Sequence, residues 1–418
     1  MSGRIWRGGR ALLAAGALIG LSALHSANAD PDNYVAIARG RALATVGDCV
    51  ACHTATQGEA FAGGLSLTTP FGNIMTPNLT PDVATGIGRW SADDFARAMH
   101  EGIRPDGGHL YPAFPYTYYT KVTREDTDAI YAFLRSLTPV SNAVDRSTLP
   151  FPFSIRASMI GWNALFFTPG VFVPDDQKSA TYNRGAYLVE GLAHCGACHT
   201  PMNAVGASRF SEAFQSNRLD NWTAPNITAD SRLGLGKWSV DEIVTYLRTG
   251  QTKTSIASGP MAEVISNSTS KMPEQDLKAM AVYLKERGAA GSAAPAAVSA
   301  DDKRMVTGRA IFVDTCAACH TQTGAGIENI FPRLAGNPIV VQDDPTTLIR
   351  VIVTGARGSA TDARPTAPAM PSLGYRLSDE QLAAVVTYIR NSWGNAAKPV
   401  VADDVGKIRA KVSASAAN

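Results

Sequence analysis

All six cysteines of this 418-residue chain fall into three copies of one pattern. Cys49-Val-Ala-Cys52-His53, Cys195-Gly-Ala-Cys198-His199 and Cys316-Ala-Ala-Cys319-His320 each set two thiols two residues apart, with His directly after. Chance at this composition gives roughly 0.001 copies of such a pattern, so three copies dictate the chemistry. The spacing is that of covalent c-type haem attachment. Two thiols add to the vinyl groups on one porphyrin edge, and the adjoining His lies under the iron as proximal ligand. Redox dithiols need no trailing His and do not come in threes. Structural zinc on Cys₂His needs a fourth ligand beside each pair, and no cysteine remains to supply it. The sequence therefore predicts three c-type haems on Cys49, Cys52, Cys195, Cys198, Cys316 and Cys319, with His53, His199 and His320 as proximal iron ligands.

A repeat organises the chain around these motifs. A short helical pattern containing Gly precedes each one: Gly40-Arg-Ala-Leu, Gly185-Ala-Tyr-Leu and Gly308-Arg-Ala-Ile. An amphipathic helix closes each unit, predicted over Asp126–Leu137, Asp276–Arg287 and Ser378–Trp393. Glycine in the first helix lets an aromatic of the last approach closely. Asn78-Leu-Thr-Pro-Asp and Gly86-Ile-Gly-Arg-Trp90 recur as Asn226-Ile-Thr-Ala-Asp and Gly234-Leu-Gly-Lys-Trp238. These Asn-x-Thr triplets match a glycosylation pattern, but repeated inside domains they read as turns beside the haem. The helices after them are predicted to end at Gly102, Gly250 and Gly355. The expected fold is mainly α, with three tandem cytochrome c-like domains at 30–150, 181–287 and 301–396. A connecting segment (151–180), a small-residue linker (288–300) and a tail (397–418) complete the chain.

A six-coordinate haem needs a second axial ligand, and Met as partner to His raises its potential. The loop before the closing helix is the expected source. It offers Met261 in Ser258-Gly-Pro-Met261, with Met272 as fallback, and Met370 in Pro368-Ala-Met370-Pro. A methionine usually fills a core, but these two sit among turn-forming residues. The first unit departs from the pattern. Phe114 of His109-Leu-Tyr-Pro-Ala-Phe114-Pro-Tyr stands where Met370 does, and Phe cannot ligate iron. Met159, in an apolar segment able to wrap back over the haem, is the candidate there, with His109 as alternative; an open site is the third reading.

Residues 1–29 carry an export signal. Arg4, Arg7 and Arg10 precede an apolar run from Ala11 to Leu24 and the small-residue ending Ala27-Asn28-Ala29. Fourteen apolar residues are few for spanning a bilayer. Cleavage removes three cations and turns a net charge of +2 into −1. Without basic runs, no nucleic-acid partner is expected. At 18% charged residues, against about 25% in typical domains, the composition argues against disorder.

The stretches between and around the motifs extend the pattern. Gly47-Asp-Cys-Val-Ala-Cys-His-Thr54, Phe61-Ala-Gly-Gly64, Asn78–Asp82 with Gly86–Gly88, and His109–Tyr116 stand in the first unit. Arg184–Val189, His194–Pro201 and Tyr388–Asn395 stand in the others. With these residues the chain resembles the triheme cytochrome c subunits of membrane-bound bacterial dehydrogenases, the alcohol and gluconate 2-dehydrogenase type, from about Tyr34 to Asn395. The resemblance implies an electron-transfer subunit on the periplasmic side of the cytoplasmic membrane, peripherally attached. Its electrons would come from a large catalytic dehydrogenase subunit (a quinoprotein, flavoprotein or molybdoprotein) and go to ubiquinone. The tail, with Lys407, Arg409 and Lys411, reads as a short surface helix or as a frayed terminus. A rival expectation is a peroxidase-like haem enzyme working at an open distal site on haem one.

Overall fold

A computed structural model describes residues 34–416 except 145, 146, 220 and 290, so the export signal expected at 1–29 lies outside the described residues. Helices dominate, accompanied among the described residues by three two-stranded antiparallel ladders. The same sequence of elements recurs. An opening helix (Tyr34–Val46, Ala180–Tyr187, Lys303–Ile311) leads into a short helical turn bearing the motif (Cys49–Cys52, Cys195–His199, Ala317–His320). A later helix follows (Ala92–Glu101, Val240–Thr249, Thr346–Thr354), then the closing helix (Arg124–Arg135, Glu274–Glu286, Asp379–Arg390).

Local chemistry fixes these boundaries. Ser91 and Ser239 form capping boxes with Asp94 and Glu242, and Ser378 does so with Gln381. Gly102, Gly250 and Gly355 stop their helices at φ of 67°, 73° and 74°, where side chains are disfavoured. The first closing helix begins two residues earlier than the acidic pattern suggests, because Thr123 accepts from the Asp126 amide and so caps it.

Opening and closing helices cross at the predicted glycines. A Cβ on Gly40, Gly185 or Gly308 would stand 1.8, 2.0 or 2.2 Å from the carbonyl oxygen of Ala129, Ala279 or Ala384. The same Cβ would come within 2.9 Å of Cβ of Phe133, Tyr283 or Tyr388. These are the closing-helix aromatics, and no side chain fits between the two backbones.

The units are joined unequally. One continuous core runs through the first two, from Leu43, Phe95 and Leu134 to Leu188, Leu192, Leu277 and Leu284. The third has its own core around Phe312, Ile349, Leu382 and Val386. Two ladders, Ser66–Thr69 with Gly72–Met75 and Gln215–Leu219 with Trp222–Asn226, follow the first two motifs. The third ladder is elsewhere in its unit, pairing Ala356 with Met370.

The tail is a helix, Ala402–Ala416, whose apolar side faces inward rather than outward. Val405, Ile408 and Val412 enter the third core, each such burial contributing about 1.5–3 kcal/mol. Arg409 ties the helix down by donating to Asp379 and to the carbonyls of Gly374 and Leu377. The connecting segment wraps back on unit one through its helix Ser158–Phe166. Trp162 packs with Tyr116 and Ala207, while Tyr116 donates to Asn163 at 2.5 Å. The segment leaves Phe151, Ile160, Leu165 and Val173 exposed, two of them on this helix. Among the described residues no helix is long and apolar enough to cross a membrane.

Candidate functional site

Each motif His is oriented by one hydrogen bond of the same kind. His53 Nδ1 lies 2.9 Å from the Pro77 carbonyl, His199 Nδ1 2.7 Å from that of Pro225, and His320 Nδ1 3.0 Å from that of Pro332. A carbonyl oxygen only accepts, so Nδ1 carries the proton and Nε2 is left with its lone pair. That is the tautomer an iron ligand requires, with its outer partner already in place. Burial lowers the pKa of all three rings and keeps them neutral.

The cysteines repeat as faithfully. The first of each pair is half-buried, the second exposed, and none is in a disulfide. Burial pushes the Cys49 and Cys195 thiols up to about 12. Redox dithiols need the opposite, a lowered thiol pKa, so these pairs are not poised for disulfide exchange. The two thiols and the imidazole do not close on one point. Among the described residues, no three His, Cys, Asp or Glu side chains gather as a bare metal ion would require. A free Cys pair and a separate imidazole lone pair fit a macrocycle bound at its rim and ligated at its centre. The residues present fit c-type haem.

The orienting prolines were not singled out by the spacing argument, although a signal existed. Pro77 and Pro225 stand directly before the two Asn-x-Thr triplets. Those triplets form the expected turns: Asn78 Oδ1 accepts from the Thr80 amide and hydroxyl at 2.9 and 2.7 Å, and Asn226 Oδ1 from those of Thr228 at 2.8 and 2.7 Å. Asn78 and Asn226 are buried, so each turn is a rigid platform presenting a proline carbonyl to the ring. In unit three, Pro332 comes 12 residues after its His rather than 24 or 26, from a different loop.

The distal candidates are less uniform. Met261 is half-buried in the first turn of helix Pro260–Asn267, and Met370 half-buried in the two-residue strand Ala369–Met370. Neither is in open loop as expected, because Pro260 starts a helix and Ala356 pairs with Met370. Met370 and Cys316 border the same core. Met272 is fully buried within the core shared by units one and two. Met159 packs in the small cluster of Tyr116, Trp162 and Ala207, and Phe114 borders both that cluster and the core that Cys49 borders. His109 has a buried Nδ1 with no hydrogen-bond partner, while its carbonyl accepts from Arg156 at 2.8 Å. His100 is engaged with Thr127, and Met99 is a core side chain.

Comparison with known proteins agrees with this geometry. The cytochrome c family model matches residues 37–138 and 305–393. The middle unit lies outside both stretches, yet it repeats their geometry. The gluconate 2-dehydrogenase cytochrome c subunit of Pantoea cypripedii is 41% identical, the match covering 91% of each chain. The alcohol dehydrogenase (quinone) cytochrome c subunit of Gluconobacter oxydans is 38% identical, over 94% of this chain and 86% of its own. The fructose dehydrogenase cytochrome subunit of Gluconobacter japonicus is 37% identical, over 90% and 82%. The chain is an electron-transfer protein with c-type haem, and it belongs to the family of cytochrome c subunits of gluconate 2-dehydrogenase, alcohol dehydrogenase and fructose dehydrogenase.

Proposed function

We propose that the chain carries three covalent haems and passes electrons from the catalytic subunit of a periplasmic dehydrogenase to membrane ubiquinone. The observation that carries this reading is the threefold recurrence of a free Cys pair beside a His whose Nδ1 is held by a proline carbonyl. The catalytic partner oxidises an alcohol, sugar acid or aldehyde at quinone, flavin or molybdenum. Bound haem supplies one-electron chemistry between ferric and ferrous iron. This chain's residues hold it: Cys49, Cys52 and His53; Cys195, Cys198 and His199; Cys316, Cys319 and His320. Met261 and Met370 serve as distal ligands of the second and third sites. The exposed apolar residues of 151–173 support docking on the partner or the bilayer, and the export segment supports a periplasmic location.

For haem one we assign Met159, whose cluster shares Phe114 with the core that Cys49 borders. Met159→Ala abolishes the sulfur-to-iron absorption band of one haem and lowers its potential; unchanged values exclude the assignment. A second reading, His109, is favoured by its unpartnered Nδ1, and His109→Gln would then produce the change. The peroxidase-like alternative requires an open site. Carbon monoxide binding by one ferrous haem in three supports it, and three six-coordinate haems exclude it.

A further inference from the structure

The second attachment motif differs from the other two at one position, and the difference has a structural cause. Val50 and Ala317 follow the first Cys of their motifs, whereas Gly196 does so in the second. Haem attachment therefore tolerates a side chain there. What excludes one at 196 is Tyr118 of unit one. A Cβ on Gly196 would lie 2.7 Å from Tyr118 Cε1 and 3.0 Å from its Oη. Real Cβ atoms do not approach ring atoms so closely. The Tyr118 hydroxyl donates to Ser208 Oγ at 2.9 Å, which fixes the ring over the motif.

Its neighbour Tyr119 makes the complementary contact. The ring meets His194 edge-on, with centroids 5.4 Å apart, and packs against Phe114 at 5.3 Å. His194 precedes Cys195 directly and is held at φ 38° with its Nδ1 3.0 Å from the Leu192 carbonyl. Tyr119 is buried in the core that Cys49 and Cys195 both border. Leu192 closes the remaining gap, since a Cβ on Gly47 would meet its Cδ1 at 3.3 Å. Ser268 of unit two donates to the Val46 carbonyl at 3.0 Å, three residues before Cys49. The first and second motifs thus approach by their cysteine-bearing ends, with two tyrosines of one short helix (Tyr116–Tyr119) packed between them.

We propose that Tyr118 and Tyr119 are positioning residues that lock the first and second haem-attachment motifs edge to edge, so that the two sites exchange electrons across a dry aromatic contact. In each exchange one electron leaves a ferrous site and reduces a ferric one; no bond forms or breaks, and the buried phenols keep their protons. Among the described residues unit three has no such wedge against unit two; the Arg333 and Asn329 amides of its motif region bond instead to the Thr254 and Lys253 carbonyls. The inference rests on the three-haem reading.

The test uses the full holoprotein. Haem per chain is counted first, and fewer than three in the parent protein overturns the three-haem reading rather than the wedge. Soret circular dichroism then reads the couplet that neighbouring haems produce, and spectroelectrochemistry reads each potential. Gly196→Ala and Tyr119→Leu are expected to reduce the couplet and shift a potential of site one or two, leaving site three unchanged. Tyr119→Phe, which retains the ring, restores the parent spectrum. Ala317→Gly, the reverse change in motif three, has no effect. Gly196→Ala adds a single carbon, so it keeps the test decisive where Tyr119→Leu fails to fold. A parent protein without a couplet, or fully loaded variants with unchanged couplet and potentials, would overturn the proposal.

Discussion

Units one and two are joined as two halves of one core, whereas units two and three are joined as two proteins are. Across the first junction Leu188, Leu192 and Tyr187 pack with Val122, Ile130 and Tyr119 in one apolar interior. Tyr187 of unit two also donates to the buried Asp126 of unit one, the carboxylate that Arg39 already holds. The second junction is mainly a polar seam, with Leu233 of unit two as an apolar contact on the third core. Thr223 donates its amide to Thr347 Oγ1 at 2.8 Å, Ser359 donates to the Ala262 carbonyl at 3.0 Å, and Gln342 to that of Leu233 at 2.7 Å. Arg350 stacks on Trp222 at 4.7 Å. An apolar junction forbids relative motion without loss of the core, while each hydrogen bond of a polar seam contributes only about 1 kcal/mol. The difference predicts two cooperative units, not three.

Overpacking a helix crossing tests that count most severely. Gly185→Val, forced against the Ala279 carbonyl, should destabilise by about 3 kcal/mol or more. Units one and two are then expected to lose protease resistance together, while a fragment carrying Cys316 and Cys319 survives. Gly308→Val should give the converse pattern. Independent cleavage of unit one from unit two in either variant would break the comparison.

A smaller loss, confined to the other side, is expected from the tail. Ile408 is 5% exposed, and Ile408→Ala should cost about 2 kcal/mol. Thermal unfolding followed at the haem bands should show only the third unit's transition lowered. A uniform decrease in all transitions would mean that the tail supports the whole molecule. The mildest change concerns the seam itself. Thr347→Val leaves the Thr223 amide without its partner, a loss of about 1 kcal/mol. It should leave both transitions in place while speeding cleavage in the 288–300 linker. An unaltered cleavage rate would show that the seam is not what holds unit three.

Much of this organisation was written locally. Gly40, Gly185 and Gly308, the helix stops at Gly102 and Gly250, and the Asn78 and Asn226 turns each rest on residues a few positions apart or on a strict repeat. Their physical meaning is readable without coordinates. The Asn-x-Thr turns also pointed at the prolines before them, but an acceptor carbonyl belongs to the backbone and leaves no residue-type signature. Pro332, arriving from an unrelated loop, had no repeat to reveal it. The fused core depends on contacts between residues as distant as Val46 and Ser268, which periodicity does not report. In the tail, Val405, Ile408 and Val412 do show helical spacing. The intervening Lys407, Arg409 and Lys411 pointed equally to a surface helix or a frayed terminus, whereas Arg409 is bonded to Asp379.

The central claim is that three equivalent haem sites exist on one chain. The direct measurement is haem iron per polypeptide after export, by pyridine haemochrome assay and intact mass, for the parent and for each Cys-pair-to-Ser variant. The account predicts three haems in the parent and two after Cys49→Ser with Cys52→Ser, Cys195→Ser with Cys198→Ser, or Cys316→Ser with Cys319→Ser. A parent stoichiometry below three, or a Cys pair whose removal costs no haem, would contradict it.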